Sequence, residues 1–241
     1  MNHRLTSWAA SLPLCLGLIS AAAQAGTELL VNGGFEASES FAGRSSPGGD
    51  DDVYLLHVGA TPMPGWRVIG GDVSWARDDN PYGHLPSATG GDFLLDLTAY
   101  QTTALGGVSQ SFATEIGRRY DVSFDIGIGG SGPLQPQAQT QGPISVSARL
   151  ESADGVLFQD SFSSLAGSFA TATWTTAHFS FVAASTTSTL SLTGLSRGPF
   201  NSNFIGLDNV SVAAAVPEPA SCALLSSGLI LLGALGRRRT A

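Results

Sequence analysis

The stretch Tyr120-Asp121-Val122-Ser123-Phe124-Asp125-Ile126 decides the fold. Its apolar residues stand at every second position, and Asp or Ser separates each from the next. Because successive side chains of a β-strand point to opposite faces, this period of two predicts a strand with one buried and one polar face. The residues expected inside are Tyr120, Val122, Phe124 and Ile126.

The same alternation recurs over 144–150, at Phe179 and Phe181, and at Leu190 and Leu192. Asp154-Gly155 lies between two such runs and is typical of a β-hairpin turn, because glycine tolerates positive φ. Two stretches with few apolar residues, 37–52 and 127–143, are expected to be loops. About ten strands with short polar turns and no helical period predict an all-β fold, a β-sandwich of the jelly-roll type.

The composition of the chain narrows the function classes. Of its 241 residues, 43% are hydrophobic and 12% are charged, which argues against a disordered protein. The formal net charge of −8 argues against nucleic-acid binding, which needs a surplus of cations. All 11 basic residues are arginine, which excludes chemistry that depends on a lysine amine.

The first 25 residues carry the pattern of a secretory signal peptide. Arg4 stands near the start, an apolar run follows over 8–20, and the small residues Ala23 and Ala25 close the segment. Signal peptidase accepts only small side chains at these two positions, so we expect cleavage after Ala25. The alternative is a membrane anchor that stays, but the run is short for a span of about 20 residues.

The last segment, 215–241, has the pattern of a membrane-directed tail. Pro217-Glu218-Pro219 interrupts the chain, and the uncharged run 220–236 follows it. Arg237, Arg238 and Arg239 then stand almost at the terminus. Because arginine clusters stay on the cytoplasmic side, we expect a C-terminal transmembrane helix with the preceding domain outside. A buried terminal helix of a globular core is the alternative.

This tail resembles the PEP-CTERM sorting signal of Gram-negative bacteria. The matching positions are Pro217, Glu218, Pro219 and Arg237 to Arg239. The resemblance implies that an exosortase, a membrane transpeptidase, processes the tail after the chain has passed through the inner membrane. It also implies that the protein reaches the cell surface or an exopolysaccharide matrix.

The domain between the two ends, residues 26–214, has no cysteine, since Cys15 and Cys222 lie in the ends. Thiol catalysis and cysteine-ligated metal sites are therefore excluded there. Four of the eleven arginines and one of the nineteen acids also lie in the ends, so the domain carries a net charge of about −11.

An ordered series of motifs runs through this domain. It consists of 29–36 (LLVNGGFE), 64–66 (PGW), 73–75 (VSW), 96–98 (DLT), 108–112 (VSQSF), 120–125 (YDVSFD) and 207–212 (LDNVSV). The series resembles the DUF642-like, "choice-of-anchor C" bacterial surface proteins and, more distantly, galactose-binding-like jelly rolls. This resemblance implies a fold shared with many carbohydrate-binding modules.

Glu36 and Asp208 are the expected metal ligands. Glu36 is expected to end the first strand and Asp208 lies in the last, and the terminal strands of a jelly roll usually lie side by side. Alternation puts Asp208 on the same face as Val210 and Val212, so it is expected to be partly buried. In related modules an equivalent pair holds a structural calcium ion, a hard cation that needs six to eight oxygens. The alternative is that Asp208 caps backbone amides and Glu36 is solvated.

Aromatic residues in polar surroundings are the expected sugar contacts, because sugars stack their C–H faces on aromatic rings. Trp75, Tyr82 and Tyr100 fit this description, with Asp72 nearby as a polar contact. Trp66 and Trp174 stand in strand-like alternation and are expected in the core.

Two catalytic sequence motifs occur in the chain, but neither is followed by the helix that its function requires. The run 194–198 (GLSRG) fits a nucleophile elbow, but Pro199 follows where a helix is needed. The run 127–132 (GIGGSG) fits a dinucleotide fingerprint, but Pro133 follows it. We therefore expect a non-enzymatic exported protein that binds extracellular polysaccharide. The alternatives are a structural, self-associating matrix or coat protein and, less favoured, a glycan-active enzyme.

Overall fold

The computed structural model of the chain describes residues 26–36, 53–78, 88, 91–99, 104–128, 143–165, 173–197 and 204–215. They belong to one compact unit, Gly26–Ala215. The predicted signal peptide, the sorting tail and the loop predicted at 37–52 lie outside the described residues. None of the described segments forms a helix that could span a lipid bilayer.

The described residues fold entirely into strands and their connections, which confirms the all-β prediction. The strands are β1 (Val53–Leu56), β2 (Arg67–Ile69), β3 (Val73–Arg77), β4 (Phe93–Asp96), β5 (Gly107–Ala113), β6 (Arg119–Ile128), β7 (Ser145–Ser152), β8 (Gly155–Ser163), β9 (Thr173–Val182), β10 (Thr187–Ser196) and β11 (Gly206–Ala214). Because β6 extends to Ile128, the prediction of a loop is wrong for residues 127 and 128, and residues 129–142 lie outside the described part.

Two antiparallel sheets form the sandwich. One has six strands in the order β1-β3-β4-β11-β6-β9, and the other has five in the order β2-β5-β10-β7-β8. Residues from both sheets form one apolar core between them. The alternation over 120–126 and 144–150 is confirmed, because the residues expected inside are buried in this core: Tyr120, Val122, Phe124, Ile126, Ile144, Val146, Ala148 and Leu150. This arrangement confirms the predicted sandwich.

The turn between β7 and β8 is the predicted hairpin. Ser152 pairs with Gly155, so Ala153 and Asp154 are the two turn residues. Gly155 has a φ of 121°, in the region that favours glycine.

The segment 26–36 runs beside the last strand without forming a strand of its own. Leu29 N donates to Val212 O at 2.9 Å, and Val210 N donates to Gly33 O at 2.9 Å. The two ends of the domain therefore lie side by side, as expected. The prediction of a first strand ending at Glu36 is wrong, because Asn32 and Phe35 have φ values of 56° and 59° and break the extended backbone.

A β-bulge in β11 changes which face Asp208 occupies. Asp208 pairs with Asp125, but Ser211 pairs with Ser123, so β11 has one more residue than β6 in this interval. The extra residue reverses the alternation. The prediction that Asp208 shares a face with Val210 is therefore wrong: Val210 lies in the core, whereas Asp208 lies on the outer face with Asp125.

Candidate functional site

The outer face of the six-stranded sheet carries an aromatic ring beside a row of polar side chains. Trp174 lies on this face because Ala177, Phe179 and Phe181 of the same strand pack against the core. We call "the platform" the group formed by Trp174, Thr176 and His178 of β9, Ser123 of β6 and Asn209 of β11. Thr176, His178 and Asn209 are exposed, and Trp174 and Ser123 are half-buried.

The Trp174 indole lies flat across the neighbouring strand. Gly127 is the cross-strand partner of Trp174. A Cβ atom added to Gly127 would stand 2.6, 2.7 and 2.8 Å from three atoms of the indole ring. Three nearly equal distances mean that the ring is parallel to the sheet surface there. Only glycine leaves room for this arrangement, so Gly127 determines the orientation of the ring.

The prediction that Trp174 belongs to the core is wrong. Its ring is half-buried and packs against a separate small cluster of Val53, Ala76 and Leu94. The sequence indicates this placement. Trp174 stands an even number of residues from His178 and an odd number from Phe179 and Phe181, so in a regular strand it shares the face of His178. Applying the period of two along β9 puts Trp174 outside.

The same face carries three buried carboxylates, those of Asp96, Asp125 and Asp208. The Asp96 carboxylate accepts hydrogen bonds from Thr98 N at 2.9 Å, Thr98 Oγ1 at 2.9 Å and Ile205 N at 3.1 Å. Burial raises the pKa of Asp96 to about 6, against the opposing effects of these bonds and of the Arg197 charge. Asp96 therefore takes up a proton more readily than an exposed aspartate.

Asp125 and Asp208 lie directly opposite each other on neighbouring strands. Asp125 Oδ2 accepts from Asn209 Nδ2 at 3.1 Å. Asp208 Oδ2 accepts from Ala88 N at 2.8 Å, and Asp208 Oδ1 accepts from Asn209 N at 2.6 Å. The bulge residue Asn209 thus contacts both carboxylates.

Glu36 lies against the start of β4. Its carboxylate is exposed and accepts from Asp92 N at 2.8 Å and from Phe93 N at 3.2 Å. The donor set of Glu36 and Asp208 is all oxygen, which suits calcium, and an oxygen that accepts one amide keeps a second lone pair. The calcium ion expected between them stays a prediction. Among the described residues, no three acidic or histidine side chains come close enough together to hold a metal.

The sugar contacts expected from the sequence have different outcomes. Trp75 has 0% exposure, packs on Phe93 with ring centroids 5.5 Å apart, and donates from Nε1 to Phe35 O at 2.9 Å. A fully buried ring cannot present a face to a ligand, so the prediction that a sugar stacks on Trp75 is wrong. Trp66 lies in the core as expected. Tyr82 and Tyr100 lie outside the described residues.

Asp72 is half-buried and bonds to the segment that follows β1. Its Oδ2 atom is 2.9 Å from Nδ1 of His57, and its Oδ1 atom accepts from Val58 N at 3.1 Å. These bonds fix the turn after β1. The sequence-based role of Asp72 as a sugar contact stays a prediction.

Comparisons with solved structures find proteins of low sequence identity. The chain is similar to an arabinose-bound α-L-arabinofuranosidase (14% identity, TM-score 0.46), covering 80% of this chain and 27% of that one. It is also similar to a sugar-binding protein from Bacteroides thetaiotaomicron, with 9% identity and a TM-score of 0.42. That match covers 78% of this chain and 100% of the other. A third similar structure is a xylanase from Clostridium thermocellum with a carbohydrate-binding and a catalytic module, with 16% identity and a TM-score of 0.40. That match covers 68% of this chain and 28% of the other.

This chain spans about a quarter of the arabinofuranosidase's length, as its 27% coverage shows. No curated protein matches the sequence. A family profile described as "Protein of unknown function (DUF642)" matches residues 28–210. That match covers three quarters of the chain, which therefore belongs to the DUF642 family.

Proposed function

We propose that this protein binds polysaccharide outside the cytoplasm, without catalysing a reaction, and that the platform is the binding surface. The observation that carries the proposal is the Trp174 indole, which lies flat over Gly127. A flat, partly exposed aromatic ring is the group on which sugars stack. The other platform residues supply hydroxyl, amide and imidazole groups that can bond to sugar hydroxyls.

The dimensions of the platform suit a chain rather than a single small molecule. Trp174, Thr176 and His178 follow one another on the same face of β9. At a strand rise of about 3.3 Å per residue, this row is about 13 Å long. In the described part of the molecule β9 stands at the edge of its sheet, so no further strand of that sheet encloses the row. An open row of this kind fits an extended glycan.

The sequence supports an extracellular site of action. The signal-peptide pattern at 1–25 and the Pro-Glu-Pro tail at 217–219 favour export followed by sorting. Signal peptidase and an exosortase-like transpeptidase would be the processing partners. The destination would be the cell surface or the exopolysaccharide matrix of a Gram-negative bacterium.

The alternative is a self-associating coat protein, and one route to self-association, pairing through the edge strand β8, is disfavoured. Asp160 pairs with the core residue Ala148 and stands two residues from both Phe158 and Phe162, so it lies on the inner face of the strand. The residue is nevertheless exposed. A charge in an inward position on an edge strand opposes pairing with another chain.

Retention on immobilised polysaccharides tests the proposal. We expect Trp174→Ala to weaken binding at least tenfold, about 1.4 kcal/mol, because the stacking surface is lost. Trp174→Phe should retain part of the affinity. The matched control is Val182→Ala, which removes exposed apolar surface from the same strand. Equal binding by the wild-type protein and Trp174→Ala would refute the platform.

Tryptophan fluorescence gives a second readout. Of the four tryptophans, Trp66 and Trp75 are buried in the core, and Trp8 lies in the predicted signal peptide. A glycan on the platform should therefore change the emission of Trp174 and leave the buried pair unaffected. A glycan-induced change that persists in Trp174→Phe would place the binding surface elsewhere.

A further inference from the structure

Two carboxylates border the platform on the strand at its centre. Ser123 lies in the middle of the platform, and Asp121 and Asp125 stand two residues before and after it on β6. Residues two apart on a strand share a face and lie about 7 Å apart, so both aspartates are on the outer face with Ser123. Asp121 is exposed to solvent there.

A third carboxylate reaches the same place from the N-terminal segment. Ser211 of β11 is the cross-strand partner of Ser123, and its hydroxyl donates to Glu28 Oε2. Glu28 is exposed and lies opposite Ala213 of β11, on the same outer face. Ser123 therefore has carboxylates on three sides. Its partner on β9 is His178, which opposes a bound cation only when the imidazole is protonated.

Asp125 contributes an oxygen atom that lacks a hydrogen-bond donor. The residue is 6% exposed, its Oδ2 atom accepts from Asn209 Nδ2 at 3.1 Å, and its Oδ1 atom has no partner in the described part of the molecule. A buried carboxylate oxygen without a donor is costly. The floor of the platform therefore holds a negative group that an added positive or hydrogen-donating group would stabilise.

Little positive charge offsets these three carboxylates. Among the residues that the structure describes, Glu28, Asp121 and Asp125 take part in no ion pair. Arg119 is on the same face at the start of β6, and its Nη2 atom donates to Ser180 Oγ at 2.6 Å. The domain as a whole carries a net charge of about −11. A ligand that approaches the platform therefore meets a negative potential.

We propose that the platform prefers glycans with protonated amino groups, for example chains of unacetylated glucosamine. This inference rests on the proposed function, because it names the class of glycan that the same surface takes. A sugar ring stacks on Trp174, and an ammonium group of the chain lies among the carboxylates around Ser123. Chains of uronic acids are disfavoured, because like charges repel.

Calorimetric titration of the full-length protein at pH 6 tests this preference with three hexasaccharides, of glucosamine, of N-acetylglucosamine and of galacturonic acid. The acetylated chain is the matched control, since acetylation removes the charge of the amine. We expect the glucosamine chain to bind about tenfold more tightly than the acetylated chain, and the galacturonate chain to bind most weakly. Raising NaCl from 50 to 500 mM should remove most of these differences, because salt screens charges.

A charge variant locates the effect on the platform. Asp121→Asn should weaken binding of the glucosamine chain about threefold, because one negative charge about 7 Å from Ser123 is lost. Asp154→Asn removes the same charge from the exposed turn between β7 and β8, and it should leave binding unchanged. Equal weakening by the two variants would show a general effect of net charge and would overturn the role of the carboxylates.

The outcomes separate this inference from the proposed function. Equal affinity for the glucosamine and N-acetylglucosamine chains, lost in Trp174→Ala, would overturn the preference and leave the platform as the binding surface. Tightest binding of the galacturonate chain would also overturn it. Binding of the glucosamine chain that Trp174→Ala does not weaken, or no binding of any of the three chains, would overturn the preference and the platform together.

Discussion

Replacing Asp96 by asparagine should remove a defined part of the pH dependence of stability. Asp96 is buried on the outer face of the six-stranded sheet, and burial raises its pKa from 3.8 to about 6. The folded state therefore binds the Asp96 proton more tightly than the unfolded state does. The resulting stabilisation is fully present below pH 3.8 and is lost as the pH rises through about 6.

The size of the effect follows from the difference in pKa. A shift of about two units corresponds to about 3 kcal/mol of unfolding free energy between the two ends of this pH range. The introduced asparagine has no proton to lose, and its side-chain oxygen can still accept from Thr98 N and Ile205 N. The wild-type protein should therefore lose about 2.5 kcal/mol relative to Asp96→Asn between pH 4 and pH 7, because at pH 4 part of the Asp96 population in the unfolded state has already lost its proton.

Urea denaturation at several pH values, followed by tryptophan fluorescence, measures this difference. Titration of the other carboxylates cancels in the comparison of the two proteins. Asp121→Asn, which removes the charge of an exposed carboxylate on β6, is the control variant. A wild-type minus Asp96→Asn difference that does not change with pH would refute the reasoning. An increase of this difference in unfolding free energy with pH would also refute it, because the fold would then stabilise the charged form of Asp96.

Two further substitutions test the packing. Gly33→Ala should destabilise the domain by about 2 kcal/mol or more in urea denaturation, because the added Cβ would overlap Val210 O. Gly34→Ala is the matched control, since its Cβ would meet only Glu36 Cγ, at 3.5 Å. Equal stability of the two variants would contradict the close approach at Gly33. Asp160→Val should leave the unfolding midpoint within a few degrees but increase aggregation in light scattering, because it removes the charge that protects the β8 edge. Asp121→Val on the internal strand β6 is its control, and equal aggregation of both would argue against edge protection.

The sequence predicts the core of this domain well because the period of two is a local property. The alternation over 120–126 identifies the buried residues of β6, and Asp154-Gly155 marks the hairpin that follows β7. Each signal depends on residues close together in the chain. No long-range contact is needed to interpret it.

The candidate site is predicted less well, since its residues come from distant parts of the chain. Trp75 has polar neighbours in sequence, yet it lies in β3 and its indole nitrogen reaches Phe35 O, a contact across 40 residues. Composition near a tryptophan says little about burial when the contacts that bury it come from elsewhere. The parity along β9 is enough to place Trp174 outside, but it does not show that the ring lies flat over Gly127 of another strand.

By itself, the sequence determined the all-β class, the buried faces of the long strands and the absence of cysteine chemistry between the two ends. The tertiary structure alone decided that Asp208 faces Asp125 rather than the core. The physical reason is that alternation fixes a side chain's face only while the strand is regular. One extra residue at Asn209 reverses the parity, and where that residue is accommodated depends on the pairing with β6.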